Sequence, residues 1–136
     1  MTAGYSGTPL AQKLGIKAES SVRLVGAPAG FEALLAPLPS GVTVRRAGAL
    51  RADLVVLFTT SYADLLRRVP KLGEAVFPDG SLWVAWPKRS SGVTTDLTED
   101  SLRDVALPLG LVDNKVCAVT DVWSGLRLVW RRERRR

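Results

Sequence analysis

Five apolar residues, Leu54-Val55-Val56-Leu57-Phe58, run without a polar break near the middle of this chain. A strand that is apolar on both faces has to be covered on both faces. The stretch Ala52 to Thr59 therefore reads as a central strand of an α/β sheet with helices above and below it. The other elements can be placed on either side of this strand.

Before it, Thr8 to Gly15 reads as a short helix. Thr8 would cap it, Pro9 suits its first position and Gly15 its left-handed stop. Ser21 to Gly26 is the first strand. It ends in the tight turn Gly26-Ala27-Pro28-Ala29-Gly30, followed by a short helix from Phe31 to Leu35. Gly41 to Arg45 is a second, β-branched strand. Only the six residues Arg46 to Arg51 separate it from the central segment, whereas a helical crossover needs about a dozen. Either a stretched loop joins two parallel strands, or the second strand is not parallel. The stretched loop is our expectation.

After the central strand, Ser61 and Asp64 form a helix start, and Tyr62, Leu65, Leu66 and Val69 follow at helical spacing. Pro70 should bend or divide this helix. The turn Phe77-Pro78-Asp79-Gly80 leads into the strand Ser81 to Trp86. Thr98 caps a helix with Glu99 and Asp100 at its positive end and Leu102, Val105 and Ala106 on its buried side. Lys115 to Thr120 and Leu126 to Arg131 make a closing hairpin. In its last strand Leu126, Leu128 and Trp130 face the core, while Arg127 and Arg131 face water or a partner.

A chain of 136 residues suits one domain. We place a single α/β domain over residues 1–131 and a basic tail over 132–136. The stretch Arg131 to Arg136 holds five arginines and one glutamate, which leaves only +2 of the +6 net charge for the rest. The basic balance thus belongs to the end of the chain. No apolar run reaches the ~20 residues of a membrane span. The first residues have no basic-then-apolar leader, and the one cysteine, Cys117, has no partner for an internal disulfide. These features lead us to expect a cytoplasmic protein with no membrane contact. The sequence has no histidine, which excludes imidazole-based hydrolysis and removes the commonest zinc ligand.

A strand, a glycine-bearing turn, two further parallel strands and a closing hairpin resemble a shortened class I S-adenosylmethionine-dependent methyltransferase fold. Ala75-Val76-Phe77-Pro78-Asp79-Gly80-Ser81-Leu82-Trp83-Val84 is similar to the helix, turn and strand that come before the fifth strand of that fold. The wording Gly4-Tyr5-Ser6-Gly7-Thr8-Pro9-Leu10, Trp86-Pro87-Lys88 and Thr95-Asp96-Leu97-Thr98-Glu99-Asp100 resembles a family of short bacterial proteins, common in actinobacteria, that carries a domain-of-unknown-function label. The expected architecture is a small three-layer Rossmann-like sandwich, its mostly parallel sheet closed by an antiparallel hairpin. The methyltransferase resemblance implies a cofactor at the glycine turn, an acid at the end of the second strand and an acid-proline-proline-aromatic loop after the central one. Here Pro28 interrupts the turn, Arg45 and Arg46 stand where the acid belongs, and Thr59-Thr60-Ser61-Tyr62 replaces the loop.

Two stretches are candidate ligand contacts. Gly26 and Gly30 lie in a turn at the carboxyl end of a strand, where α/β folds bind ligands. Lys88, Arg89, Ser91 and Asp96 lie in the loop after another such end, where cations and hydroxyls suit an anionic small molecule. The plain alternatives are a packed turn and a solvated loop. If a site exists, these two stretches should form its walls. The tail arginines Arg131, Arg132, Arg134, Arg135 and Arg136 read as a solubilising end, or as a phosphate contact for nucleic acid. Cys117 reads as a structural residue, and Glu99 and Asp100 as helix-start charges; we assign no metal ligand and no catalytic residue. The expectation is a binding or interaction module that takes no cofactor, its partner an anionic small molecule, another protein or a second copy. The alternatives are a divergent S-adenosylmethionine- or nucleotide-binding enzyme and a nucleic-acid-associated protein.

Overall fold

The structure, a computed structural model, describes residues 7–47 and 51–135. Positions 4–6 of the family resemblance and Arg136 of the tail lie outside the described residues. Six strands form one sheet in the order β2-β1-β3-β4-β6-β5. They are β1 (Ser21–Val25), β2 (Thr43–Arg45), β3 (Leu54–Phe58), β4 (Ser81–Pro87), β5 (Leu111–Ala118) and β6 (Trp123–Trp130). The first four are parallel; β6 runs antiparallel to both β4 and β5.

The central apolar run is β3, held between β1 and β4, and all five of its residues are buried. Alternation divides them between two cores. Leu54, Val56 and Phe58 join α1 (Leu10–Leu14) and α2 (Phe31–Leu34) on one face. Val55 and Leu57 join α3 (Tyr62–Ala75) and α4 (Glu99–Ala106) on the other. β4 divides in the same way, with Leu82, Val84 and Trp86 under α3 and α4, and Trp83 and Ala85 under α1 and α2. This is the three-layer sandwich that the apolar runs imply.

Four local expectations need correction. Pro9, not Thr8, takes the cap position of α1, which has no side-chain cap; Gly15 closes the helix at φ 84°. α3 runs unbroken through Pro70. The donor that proline removes would have bonded the Leu66 carbonyl, and Leu66 is exposed, so water can take that bond while Leu65, Val69 and Leu72 hold the helix to the core. β5 begins at Leu111, four residues before the expected hairpin strand, because a register shift between Asp113 and Lys115 absorbs the polar Asp-Asn step. Finally, Val129 is buried and Arg127 half-buried, so the second face of β6 is only partly open.

β2 is parallel to β1. The link from β2 to β3, residues 46–53, is shorter than a helical crossover, and the described residues of it contain no helix. Of the two arrangements left open, the parallel one we expected is the one formed.

Candidate functional site at the carboxyl edge

Parallel pairing lines up four strand exits on one edge: Gly26 after β1, Arg46 after β2, Thr59 after β3 and Lys88 after β4. This is the edge where open α/β sheets receive ligands.

Gly26 has φ 70°, and a Cβ there would lie 2.8 Å from the Phe58 carbonyl oxygen. The chain needs glycine here to turn sharply against the end of β3, whatever the turn binds. Gly30 also has a positive φ, 80°, but a Cβ there would meet nothing within 4 Å; it turns the chain into α2.

Arg46 closes this turn. Its Nη1 donates to the Ala27 carbonyl at 2.7 Å and its Nη2 to the Pro28 carbonyl at 2.8 Å. Nε and Nη2 also donate to the two carboxylate oxygens of Glu32, at 2.7 and 2.9 Å. A planar fork of donors can make this two-pronged contact, and a lysine cannot. One side chain therefore ties the end of β2, the turn after β1 and the first turn of α2 together.

The Arg46 hydrogen bond is the main cause that lowers the Glu32 carboxyl from its ordinary 4.5 to about 2. The folded value lies below the unfolded one. The contribution of this pair is therefore complete above about pH 4.5 and is lost as pH falls through about 2. An NMR titration of the Glu32 carboxyl carbon should show its midpoint near 2, and Arg46→Ala should return it toward 4.5. A wild-type midpoint above 4 would mean that the pair does not form in solution.

At the other exit, the Lys88 amide donates to the Val122 carbonyl at 2.7 Å, and the Ser91 hydroxyl donates to the Lys88 carbonyl at 2.6 Å. Arg89 is exposed. The loop then folds over the end of β3: the Thr95 hydroxyl donates to the Thr60 carbonyl at 2.6 Å, and Asp96 accepts from the Tyr62 amide at 2.9 Å. Tyr62 opens α3, so Asp96 sits as an anion on the positive end of that helix. Below it, the Thr59 hydroxyl donates to Asp64 at 2.8 Å. Burial pushes the Asp64 carboxyl up, but hydrogen bonds from Thr59 and Arg68 outweigh it and hold the group below the usual range.

A cavity of about 590 Å3 lies under this loop, with Trp86, Arg89, Thr94 and Asp96 among its walls. Gly26, Gly30, Lys88 and Ser91 do not line it. β3 stands between β1 and β4, which separates their exits by two strand spacings, roughly 10 Å.

The tail lies at the opposite edge, because β6 runs antiparallel to β4. There the Arg131 amide donates to the Gly110 carbonyl at 2.9 Å, and Arg135 Nε donates to the Trp130 carbonyl at 2.8 Å. Arg132 and Arg134 form one exposed helical turn between them. Glu99 and Asp100 pair with Arg103, which also reaches Asp113. Cys117 is half-buried, and burial pushes its thiol up. Sequence reasoning noticed Arg46 as a missing acid but overlooked Glu32. The signal was a lone carboxylate just after the glycine turn, opposite a basic strand end.

No protein-family model matches the chain, and no curated protein does. Solved structures match its fold. A SAM-dependent methyltransferase from Aquifex aeolicus is 14% identical with a TM-score of 0.59, over 88% of this chain and 86% of that one. A ribosomal protein methylase from Lactobacillus delbrueckii subsp. bulgaricus is 14% identical with a TM-score of 0.62, over 90% and 75%. Magnesium protoporphyrin IX methyltransferase from Synechocystis, solved with SAM bound, is 12% identical with a TM-score of 0.62, over 90% and 74%. At such identities the likeness is one of fold: a mixed α/β sheet of the Rossmann-like methyltransferase type.

Proposed function

We propose that this chain is a binding module on a methyltransferase fold, with the cofactor edge closed by its own arginine. The observation that carries the reading is Arg46, whose guanidinium holds the carbonyls of the glycine turn and the Glu32 carboxylate at once. A cofactor in the familiar position needs an acid for its ribose hydroxyls and an open glycine turn. This chain has a base there, and Arg46 occupies the Ala27 and Pro28 carbonyls of the turn. The residues present do not fit S-adenosylmethionine in that mode, and we derive no methyl transfer through it.

A second reading, a divergent S-adenosylmethionine-dependent methyltransferase, is favoured by the likeness to structures solved with that cofactor or its demethylated product. Both partners of the Arg46–Glu32 pair are exposed, and exposed ion pairs are weak, so a ligand could displace it.

Thermal denaturation with S-adenosylmethionine and S-adenosylhomocysteine, on the wild type and on Arg46→Ala, decides between the two. The module reading expects no rise in Tm for either protein. A ligand at a hundred times its Kd adds about 2.7 kcal/mol, roughly 8 °C or more at this chain length. A rise of that kind in the wild type establishes the methyltransferase reading. A rise in Arg46→Ala alone identifies Arg46 as a latch over a retained cofactor edge and also ends the module reading.

A further inference from the structure

The face of the sheet under α3 is not covered evenly. α2, between β1 and β2, lies on the opposite face with Phe31 and Leu35 in that core. A right-handed crossover returning from β2 to β3 would pass over β1 on the α3 face. The link is too short to carry a helix there, and no other described helix covers the place. Where a crossover helix would need apolar residues beneath it, the strands carry Arg23 and Arg45, paired in register on adjacent strands. Register partners point to the same face.

Beside them α3 presents Arg67, Arg68 and Lys71, at spacings that share one side of a helix. Arg23, Arg67, Arg68 and Lys71, with Leu72 and Ala75 as an apolar floor, line a cleft of about 370 Å3. No acidic residue lines it. The Asp64 carboxylate, one turn up α3, pairs with both Arg67 and Arg68. Asp64 offsets one charge of the cluster, and Lys71 makes no ion pair among the described residues.

We infer that this cleft binds a small ligand bearing a phosphate or diphosphate group. Four cations around one concavity match the charge of a polyanionic group better than that of a single carboxylate. The volume falls in the range of small-molecule sites, and the apolar floor gives the rest of such a ligand a surface to lie on. A nucleic-acid strand would instead be tracked by a continuous basic groove with stacking aromatics, and the cleft has neither feature. α3 runs back from the carboxyl edge, so its Arg67 to Ala75 half lies away from the Arg46 turn. The inference deepens the binding-module reading but does not share its test.

Isothermal titration of the full chain with inorganic pyrophosphate is the experiment. The expected result is saturable one-to-one binding that weakens about tenfold in each of Arg67→Ala and Lys71→Ala, the loss of one charged hydrogen bond, and disappears in the double variant. Both side chains are exposed, so circular dichroism and Tm should stay close to wild type. Arg46→Ala and Arg89→Ala should bind pyrophosphate as the wild type does. Absence of saturable binding, or equal affinity in the double variant, overturns the inference. So does an oligothymidylate that binds more tightly than pyrophosphate through the same two residues, which would make the cleft a nucleic-acid contact.

Discussion

Trp83→Ala is expected to lower stability by about 3–5 kcal/mol, the usual cost of truncating a large buried aromatic. At this chain length that corresponds to a fall in Tm of roughly 10 °C or more. Trp83 sits in the middle of β4 with none of its surface exposed. Its ring faces the α1 and α2 core, and its indole Nε1 donates to the Leu14 carbonyl at 2.9 Å. Leu14 ends α1, so this one side chain fills the core and satisfies a helix-end carbonyl. β6 makes room for it: a Cβ on Gly125 would lie 3.1 Å from the ring. Trp83→Phe separates the two roles, because it keeps much of the ring volume and leaves the buried carbonyl unpaired, at about 1–3 kcal/mol. Thermal and urea denaturation should therefore rank wild type, Trp83→Phe and Trp83→Ala in that order. If Trp83→Phe is as unstable as Trp83→Ala, the hydrogen bond matters more than the volume. If both match the wild type, the α1 layer is not packed as described.

The centre of this sheet is legible because β3 and β4 are apolar at every position, and only a strand between two helical layers tolerates that. Ser61 and Thr98 are legible as caps because their hydroxyls have to meet amides within the next turn. What sequence could not supply is anything that depends on which strands are neighbours. Arg46 reaches residues 27, 28 and 32 only because β2 pairs with β1 in parallel. Read along the chain, it is simply a basic residue at a strand end. The distance between the two candidate stretches was hidden in the same way, because β3 stands between the exits of β1 and β4. Arg23 is a lone charge in an apolar strand, and Arg67, Arg68 and Lys71 look like an ordinary solvated helix side. They become a cluster once the short β2–β3 link is seen to leave that face of β1 without a helix. The polar Asp113-Asn114 step hid the start of β5, because an irregular register has no alternating signature.

Gly26→Ala and Gly30→Ala should differ sharply although both residues are exposed turn glycines with positive φ. At Gly30 an added methyl meets open space, so the cost is the left-handed conformation alone, about 1–2 kcal/mol. At Gly26 the same strain applies, and the methyl would also lie 2.8 Å from the Phe58 carbonyl oxygen. That oxygen belongs to the backbone at the end of β3 and cannot swing away as a side chain would. Relief requires the exit of β1 to move off β3, an overpacking cost of about 1–3 kcal/mol. The expected total for Gly26→Ala is therefore about 2–5 kcal/mol, with a Tm loss at least twice that of Gly30→Ala. The displacement also carries the Ala27 and Pro28 carbonyls away from Arg46, so the Glu32 carboxyl should titrate higher in Gly26→Ala and keep its low value in Gly30→Ala. Equal Tm losses for the two variants would show that the turn does not press on β3. An unchanged Glu32 midpoint in a destabilised Gly26→Ala would show that Arg46 is held by Glu32 alone and that the turn carbonyls contribute nothing to closing the edge.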